Sequence, residues 1–147
     1  MSPKLLFSFA TALVCCSSSQ LYAQNTTVIG KAKSYLEASY LPTTPYKFVQ
    51  QEPRGELDTY WYTNPNTTGK DDLRNMLCLM YKDDICTTSL TVTVYANLKQ
   101  VLAYMDEHYN RKDKYAWVTA DNKYLMMVFP EPEKNCVNVY TQLRQTE

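Results

Sequence analysis

The fold is decided by the stretch Leu73 to Tyr109, LRNMLCLMYKDDICTTSLTVTVYANLKQVLAYMDEHY. Within it, Leu77 to Tyr81 is an unbroken apolar run, which is typical of a strand that is covered on both faces. Cys86 to Val94 then alternates apolar residues with Ser and Thr, the period of a strand with one polar face. We therefore predict two neighbouring strands joined by a turn at Asp83 and Asp84.

A helix is predicted directly after these strands. Asn97 is a suitable N-cap, and Gln100, three residues later, completes a variant of the capping box. The apolar positions after Asn97 recur at helical spacing, so they form one stripe that faces a sheet, with Leu102 at its centre. This stripe contains Leu98, Val101, Leu102, Met105 and Tyr109.

The flanking sequence predicts further elements of the same two kinds. A first helix begins at Asn25 or Thr26 and ends at Leu41, before Pro42. Alternating patterns and turn residues predict the remaining strands, a polar loop at Asn64 to Asp72 and a basic link at Lys112 to Lys114. These strands are Tyr46 to Gln51, Leu57 to Thr63, Tyr115 to Ala120, Lys123 to Phe129 and Cys136 to Leu143.

This order predicts an α+β fold. We expect an antiparallel sheet of about six to seven strands with two helices packed on one face, in the order α-β4-α-β3. Tyr60 to Thr63 is echoed by Tyr115 to Thr119, which indicates a loose internal duplication. Short loops between successive strands favour antiparallel pairing throughout.

The first residues have the pattern of a signal peptide. Lys4 supplies the positive charge, Leu5 to Cys16 the apolar segment, and a small residue, Ala23, the predicted cleavage site. We therefore predict a signal peptide at 1–23, a single domain at 24–147, and a location outside the cytoplasm. Lipidation at Cys15 or Cys16 remains an open alternative.

Charge excludes some classes of partner. The chain has 15 basic and 15 acidic residues, and neither kind is concentrated in a long run. We therefore expect no nucleic-acid binding, and no later segment is long and apolar enough to span a membrane.

Three cysteines follow the predicted cleavage site: Cys78, Cys86 and Cys136. All three are candidates for a disulfide, but an odd number leaves at least one thiol. With a two-residue turn, Tyr81 would face Cys86 and Cys78 would face Ser89, which places the first two sulfurs on opposite faces of the sheet. A three-residue loop would return them to one face but leave them diagonal, beyond comfortable disulfide reach. A bridge through Cys136 is at least as plausible, and the spacing of the three does not fit a zinc site.

No catalytic pattern is present. His108 is the only histidine and sits near a helix end, where a positive charge is favourable. Acidic pairs fall in a loop, a turn and a helix end, and three glycines do not form a phosphate-binding loop. We therefore predict a protein that is not an enzyme and that requires no cofactor.

Aromatic residues are the most prominent feature, with thirteen tyrosines and two tryptophans. Tyr60, Trp61 and Tyr62 place three rings on adjacent positions of one strand, so Tyr60 and Tyr62 share a face and Trp61 takes the other. Two helices do not cover both faces of such a sheet, so we predict that at least one ring is exposed and binds a partner.

The segment Leu77 to Thr141 resembles small exported bacterial proteins, a group that is mostly uncharacterised. The resemblance rests on the turn at Tyr81 to Cys86, the helix ending at His108 to Asn110, and Trp117 on the following strand. It implies an extracytoplasmic location and a helix-on-sheet fold, but no activity and no site residue. The element order also resembles chaperone-like and inhibitor-like α+β modules at the level of fold alone.

The predicted function is accordingly a secreted or periplasmic binding domain whose partner is a protein. An envelope structural component and an enzyme with an unrecognised site remain the alternatives.

Overall fold

The structure is a computed structural model that describes residues 25–65 and 76–145. The predicted signal peptide, Cys15 and Cys16, and residues 66–72 of the predicted polar loop lie outside the described residues. Among the described residues, no helix is long and apolar enough to cross a membrane.

One antiparallel sheet organises the described part of the chain. Its order is β1-β2-β3-β4-β8-β7-β6-β5, so two four-stranded meanders meet through β4 and β8. The strands are β1 (Lys47–Arg54), β2 (Leu57–Thr63), β3 (Met76–Lys82), β4 (Ile85–Val94), β5 (Asn110–Asp113), β6 (Ala116–Val118), β7 (Tyr124–Glu131) and β8 (Cys136–Leu143). A helical segment precedes each meander, which matches the weak duplication in the sequence.

The sheet has eight strands, so the prediction of six to seven was too low. The additional strand is β5, in a segment whose charges were interpreted as a basic link. Its four residues are all exposed and carry no apolar alternation, so the pattern gives no strand signal. It is instead held by antiparallel pairing with β6, where Asn110 lies opposite Val118 and Arg111 opposite Trp117.

The turn after β3 follows the prediction. Lys82 pairs with Ile85, and the two residues between them, Asp83 and Asp84, have φ values of 51° and 62°. Positive φ at both central residues is what a tight hairpin with the natural strand twist requires.

The turn after β1 lies later than predicted. β1 continues through Pro53 to Arg54, so the turn is formed by Gly55 and Glu56. Gly55 has a φ of 64°, a conformation that glycine adopts without steric cost.

The first helix is broken, which corrects the prediction of one continuous helix. It consists of α1 (Asn25–Val28) and α2 (Lys33–Tyr35), followed by a π-helical turn at Leu36–Tyr40 and a 3-10 turn at Leu41–Thr43. Between α1 and α2, Gly30 has a φ of 80° and donates a backbone hydrogen bond of 2.7 Å to Cys86. The backbone therefore leaves the helix and pairs with the start of β4. This interaction joins residues far apart in sequence, so helical periodicity does not predict it.

The second helix, α3 (Leu98–His108), occupies the predicted position. Its N-terminus differs from the prediction, because Asn97 makes no capping hydrogen bond and its side-chain amide donates to the Thr93 hydroxyl at 2.9 Å. A 3-10 turn at Tyr95–Asn97 leads into the helix instead.

Both helical segments cover the same face of the sheet. The first packs against β3 through a cluster that includes Leu36 and Leu79, and α3 packs against β6 through Met105 and Trp117. Residues that lie directly opposite each other on neighbouring strands point to the same face of the sheet. Successive pairs of this kind connect the two clusters: Leu79 with Ser89, Ser89 with Thr141, Thr141 with Met126, and Met126 with Trp117. We call this the helical face.

The other face of the sheet carries its own apolar cluster. It is built on β3, β4 and β8 and includes Cys78, Leu90 and Cys136, with Trp61 and Tyr140 at its border. Cys86 belongs to the helical face, so Cys78 and Cys86 are separated by the sheet.

The three cysteines after the predicted cleavage site are all buried, and no disulfide joins them to one another. Tyr81 pairs with Cys86 as predicted, but a bulge next to that pair places Cys78 opposite Leu90 instead of Ser89. Cys136 lies opposite Val94, four positions along β4 from Leu90. Four residues of strand span roughly 13 Å, which is beyond the reach of a disulfide between Cys78 and Cys136.

Candidate functional site

The three predicted ring positions lie on β2 and are divided between the two faces of the sheet. Tyr60 and Tyr62 belong to the cluster on the helical face, and Trp61 borders the cluster on the other face. Tyr62 is buried, while Tyr60 and Trp61 are half-buried. The alternation was therefore predicted correctly, but none of the three rings is fully exposed, because β1 and the segment from α2 to the 3-10 turn pack beside them.

Tyr60 and Tyr62 line a cleft of about 350 Å³ between β1, β2 and the segment that follows α2. We call it the aromatic cleft. Four of its residues are aromatic, one is acidic and one is basic. Its lining consists of Glu37, Leu41, Pro42, Tyr46, Lys47, Phe48, Tyr60 and Tyr62.

One wall of the aromatic cleft comes from the 3-10 turn at Leu41–Thr43. The Thr44 hydroxyl donates to the Leu41 carbonyl at 2.8 Å, and the Thr44 backbone amide donates to the same carbonyl at 3.0 Å. The Tyr46 amide then donates to the Thr44 hydroxyl at 3.3 Å. These local hydrogen bonds stabilise the turn that delivers Tyr46, which is only 7% exposed, to the base of the cleft.

Aromatic contacts connect the rings of the cleft. The Phe48 ring centroid lies 6.1 Å from that of Tyr60 and 5.9 Å from that of Tyr62. Tyr60 in turn meets Tyr81 edge to face at 5.5 Å. Phe48 remains 59% exposed, so the cleft has a buried base and an aromatic rim that is open to solvent. Rings held in this way lose little conformational entropy on binding.

The charged groups of the cleft are arranged asymmetrically. Lys33 forms an ion pair with Glu37 at 3.4 Å, and its ammonium lies 4.5 Å from the centroid of the Tyr60 ring. The hydrogen bond to Tyr60 and the Glu37 carboxylate raise the pKa of Lys33 above its usual value. Lys47 on the opposite rim forms no ion pair with any described residue. Within the described part of the chain, Lys47 is therefore the charged group of the cleft without an ionic partner.

Two tyrosine hydroxyls of this region, those of Tyr40 and Tyr62, stay neutral. Burial raises the pKa of Tyr62 to about 12, with a further contribution from Glu37. Burial likewise raises the pKa of Tyr40 to about 12. The phenols therefore act as neutral hydrogen-bonding groups and are not sources of tyrosinate at physiological pH.

Trp61 has partners of its own on the other face. Its indole nitrogen donates to the Glu52 carboxylate at 2.9 Å, and the Arg54 guanidinium lies 5.8 Å from its ring. Glu52 and Arg54 are themselves paired at 3.1 Å. Trp61 is therefore outside the aromatic cleft, and its binding role stays a prediction that is independent of Tyr60 and Tyr62.

Groups with catalytic potential are not assembled in the described part of the chain. His108 lies at the C-terminal end of α3, where its ring stacks on Tyr104 at 4.0 Å and its Nδ1 is 2.9 Å from the Tyr104 carbonyl. Burial raises the pKa of both Cys78 and Cys86 to about 12, so neither supplies a thiolate. The described residues contain no group of three or more His, Cys, Asp or Glu that could hold a metal ion.

Most residues of the aromatic cleft carry no clear signal in the sequence. Tyr46 and Phe48 are two residues apart in a predicted strand, and their period indicates a shared side. The register of the predicted hairpin would have added that Phe48 lies opposite Tyr62. No local pattern indicates Glu37, Leu41 and Pro42, because they reach the cleft only through the irregular turns after α2.

Comparison of the chain with protein-family models, with curated proteins and with solved structures found no match.

Proposed function

We propose that this chain is an extracytoplasmic, non-enzymatic domain that binds a partner protein through the aromatic cleft. The observation that carries the proposal is the concave, rigid aromatic surface around Tyr60 and Tyr62, which has a buried base and an exposed rim at Phe48. Concave apolar sites with a few placed polar groups are the usual form of binding sites. Rigid aromatic anchors are the side chains that dominate binding energy at protein interfaces.

Export is the first part of the proposal, and it rests on the positive charge of Lys4 and the apolar segment Leu5 to Cys16. We expect the product outside the cytoplasm to begin at or within a few residues of Gln24. Intact-mass measurement of the protein expressed with its native N-terminus checks this. A cytosolic product that retains residues 1–23 would contradict it.

Binding through the cleft is tested by Phe48→Ala. This ring is on the rim, so its removal leaves the buried base in place, and we expect little change in the thermal unfolding midpoint. If Phe48 anchors the partner, its loss costs about 1.4 kcal/mol or more, which is about tenfold or more in affinity. The measurement is quantitative capture of extracytoplasmic proteins by the immobilised domain, compared between the variant and the unmodified protein.

Phe129→Ala is the matched control. Phe129 is 47% exposed and contacts Tyr140 edge to face at 5.5 Å, but it lies on the other face of the sheet, next to the inward Val128. A partner that is retained by the Phe129 variant and lost by the Phe48 variant supports the aromatic cleft. A partner that is lost only when Phe129 is replaced would assign binding to the other face and overturn the proposal.

A further inference from the structure

One edge of the sheet is open beside the aromatic cleft. Among the described residues, β1 pairs with β2 alone, and the remaining backbone hydrogen bonds include none from residues 47–54. The outer backbone N–H and C=O groups of β1 therefore have no backbone partner among the residues that the structure describes. An unpaired strand edge is a template on which another extended segment can form hydrogen bonds.

The opposite edge of the sheet, formed by β5, is protected against pairing with another strand. β5 has only four residues, and three of them are charged. Arg111 binds the Asp106 carboxylate through two hydrogen bonds of 2.8 and 2.9 Å and lies over the Trp117 ring. Short length and charge are the usual means by which proteins prevent pairing at an edge strand.

The first half of β1 lacks this protection. Phe48 and Val49 are 59% and 47% exposed, so the edge begins with an apolar surface. Lys47 and Phe48 also line the aromatic cleft. The side chains of an extended segment that pairs with this edge would therefore reach the cleft. Backbone hydrogen bonds to β1 would then provide affinity, and the cleft would select the side chain that enters it.

The charges of β1 indicate the chemistry of the occupant. Glu52 and Arg54 pair with each other, and Lys47 is the charge of β1 that has no ionic partner among the described residues. A second copy of this chain fits less well, because each of the two paired β1 strands would present the bulge between Phe48 and Gln50, which disrupts a ladder. An acidic segment is electrostatically complementary.

From these observations we infer that β1 accepts an extended segment of a partner protein in which an aromatic side chain is flanked by acidic residues. The segment adds a ninth strand to the sheet, its aromatic ring enters the aromatic cleft, and a carboxylate pairs with Lys47. This inference rests on the proposed function, because it names the chemical class that the proposed cleft recognises.

The probe is the N-acetylated, C-amidated peptide Ser-Thr-Asp-Phe-Asp-Thr-Ser. Its two Asp residues are each one position from Phe, as Lys47 is from Phe48, so they share the face of Lys47 whether the strand adds parallel or antiparallel. We expect a dissociation constant on the order of 100 µM, as befits a short and flexible ligand. Two-dimensional NMR should show amide shifts concentrated in Lys47 to Gln51.

Peptide variants separate the contributions of the aromatic ring, of backbone pairing and of the acidic side chains. Replacing Phe by Ala should weaken binding about tenfold, and methylation of alternate backbone nitrogens should abolish it by removing strand pairing. Replacing both Asp by Asn should weaken binding about fivefold at low salt and less at high salt. Equal binding of the methylated peptide overturns strand addition.

Protein variants locate the charge. In Lys47→Gln, the fivefold difference between the Asp and Asn peptides should disappear, whereas it should persist in the control Lys112→Gln on β5. Persistence of the difference in Lys47→Gln overturns the assigned pairing. Concentration-dependent dimerisation that is abolished by Phe48→Ala would assign the edge to a second copy and overturn the inference as well.

Failure of this inference is distinguishable from failure of the proposed function. If the peptide does not bind but Phe48→Ala still loses a captured partner, strand addition by an acidic segment is wrong and the cleft keeps its role. If Phe48→Ala also retains every partner, both are wrong.

Discussion

Replacing Trp117 with alanine is expected to lower the free energy of unfolding by about 3 to 5 kcal/mol. Trp117 is the middle residue of β6, and its fully buried side chain lies on the helical face of the sheet. Its ring packs beneath α3 in the cluster that includes Val101 and Met105, so truncation leaves a cavity that neighbouring side chains do not fill. Few domains of this size have more than about 15 kcal/mol of total stability, so this loss is severe.

Trp117 also joins α3 to the following strands through a polar contact. Its indole nitrogen donates to the Asp106 carboxylate at 2.9 Å, and Arg111 binds the same carboxylate. These hydrogen bonds hold the pKa of Asp106 below its usual value. Trp117→Phe should therefore show an intermediate loss, because it keeps an aromatic ring but removes the indole donor.

Urea unfolding of the variants checks this expectation. Trp61→Ala is the control, since Trp61 has the same side chain but is half-buried at the border of the cluster on the other face. We expect a smaller loss for Trp61, about 1 to 3 kcal/mol. Equal shifts in the urea midpoint for the two Trp→Ala variants would contradict the central position of Trp117 in the core.

Replacing Met105 with alanine is the second change for which a large effect is expected, about 2 to 5 kcal/mol. Met105 is 1% exposed and Val101 is fully buried, whereas Leu102 is only half-buried. The sequence pattern placed Leu102 at the centre of the helical stripe, and that assignment was wrong. At 100° per residue, Met105 lies near the middle of the stripe and Leu102 at one margin, so helix geometry itself places Met105 deeper.

Two variants on the same helix serve as comparisons. Leu102→Ala should cost about 1 to 2 kcal/mol because part of its surface is already in contact with water. Lys99→Ala, on the exposed side, should stay within about 0.5 kcal/mol of the unmodified protein. If Leu102→Ala shifts the denaturation midpoint more than Met105→Ala does, α3 does not pack on the sheet through the side that carries Val101 and Met105.

Elements whose cause is local were predictable from the sequence. The turn at Asp83 and Asp84, the register of Trp117 opposite Met126, and the strand Cys136–Leu143 all follow from alternation and turn chemistry. The same local alternation correctly separated Trp61 from Tyr60 and Tyr62. Backbone conformation and side-chain direction at neighbouring positions decide these features, so a short window of sequence contains the necessary information.

The candidate site depended on interactions between distant parts of the chain. Gly30 ends α1 because its backbone pairs with Cys86 on β4, and β5 exists because Asn110 finds a partner in Val118. The aromatic cleft forms where the irregular segment after α2 meets β1, which brings Glu37 beside Tyr62. Backbone hydrogen bonds and aromatic contacts between residues far apart in sequence stabilise these features. Amino-acid periodicity describes only neighbours, so it predicted that Tyr60 and Tyr62 share a face, and only the tertiary structure decided which residues enclose them.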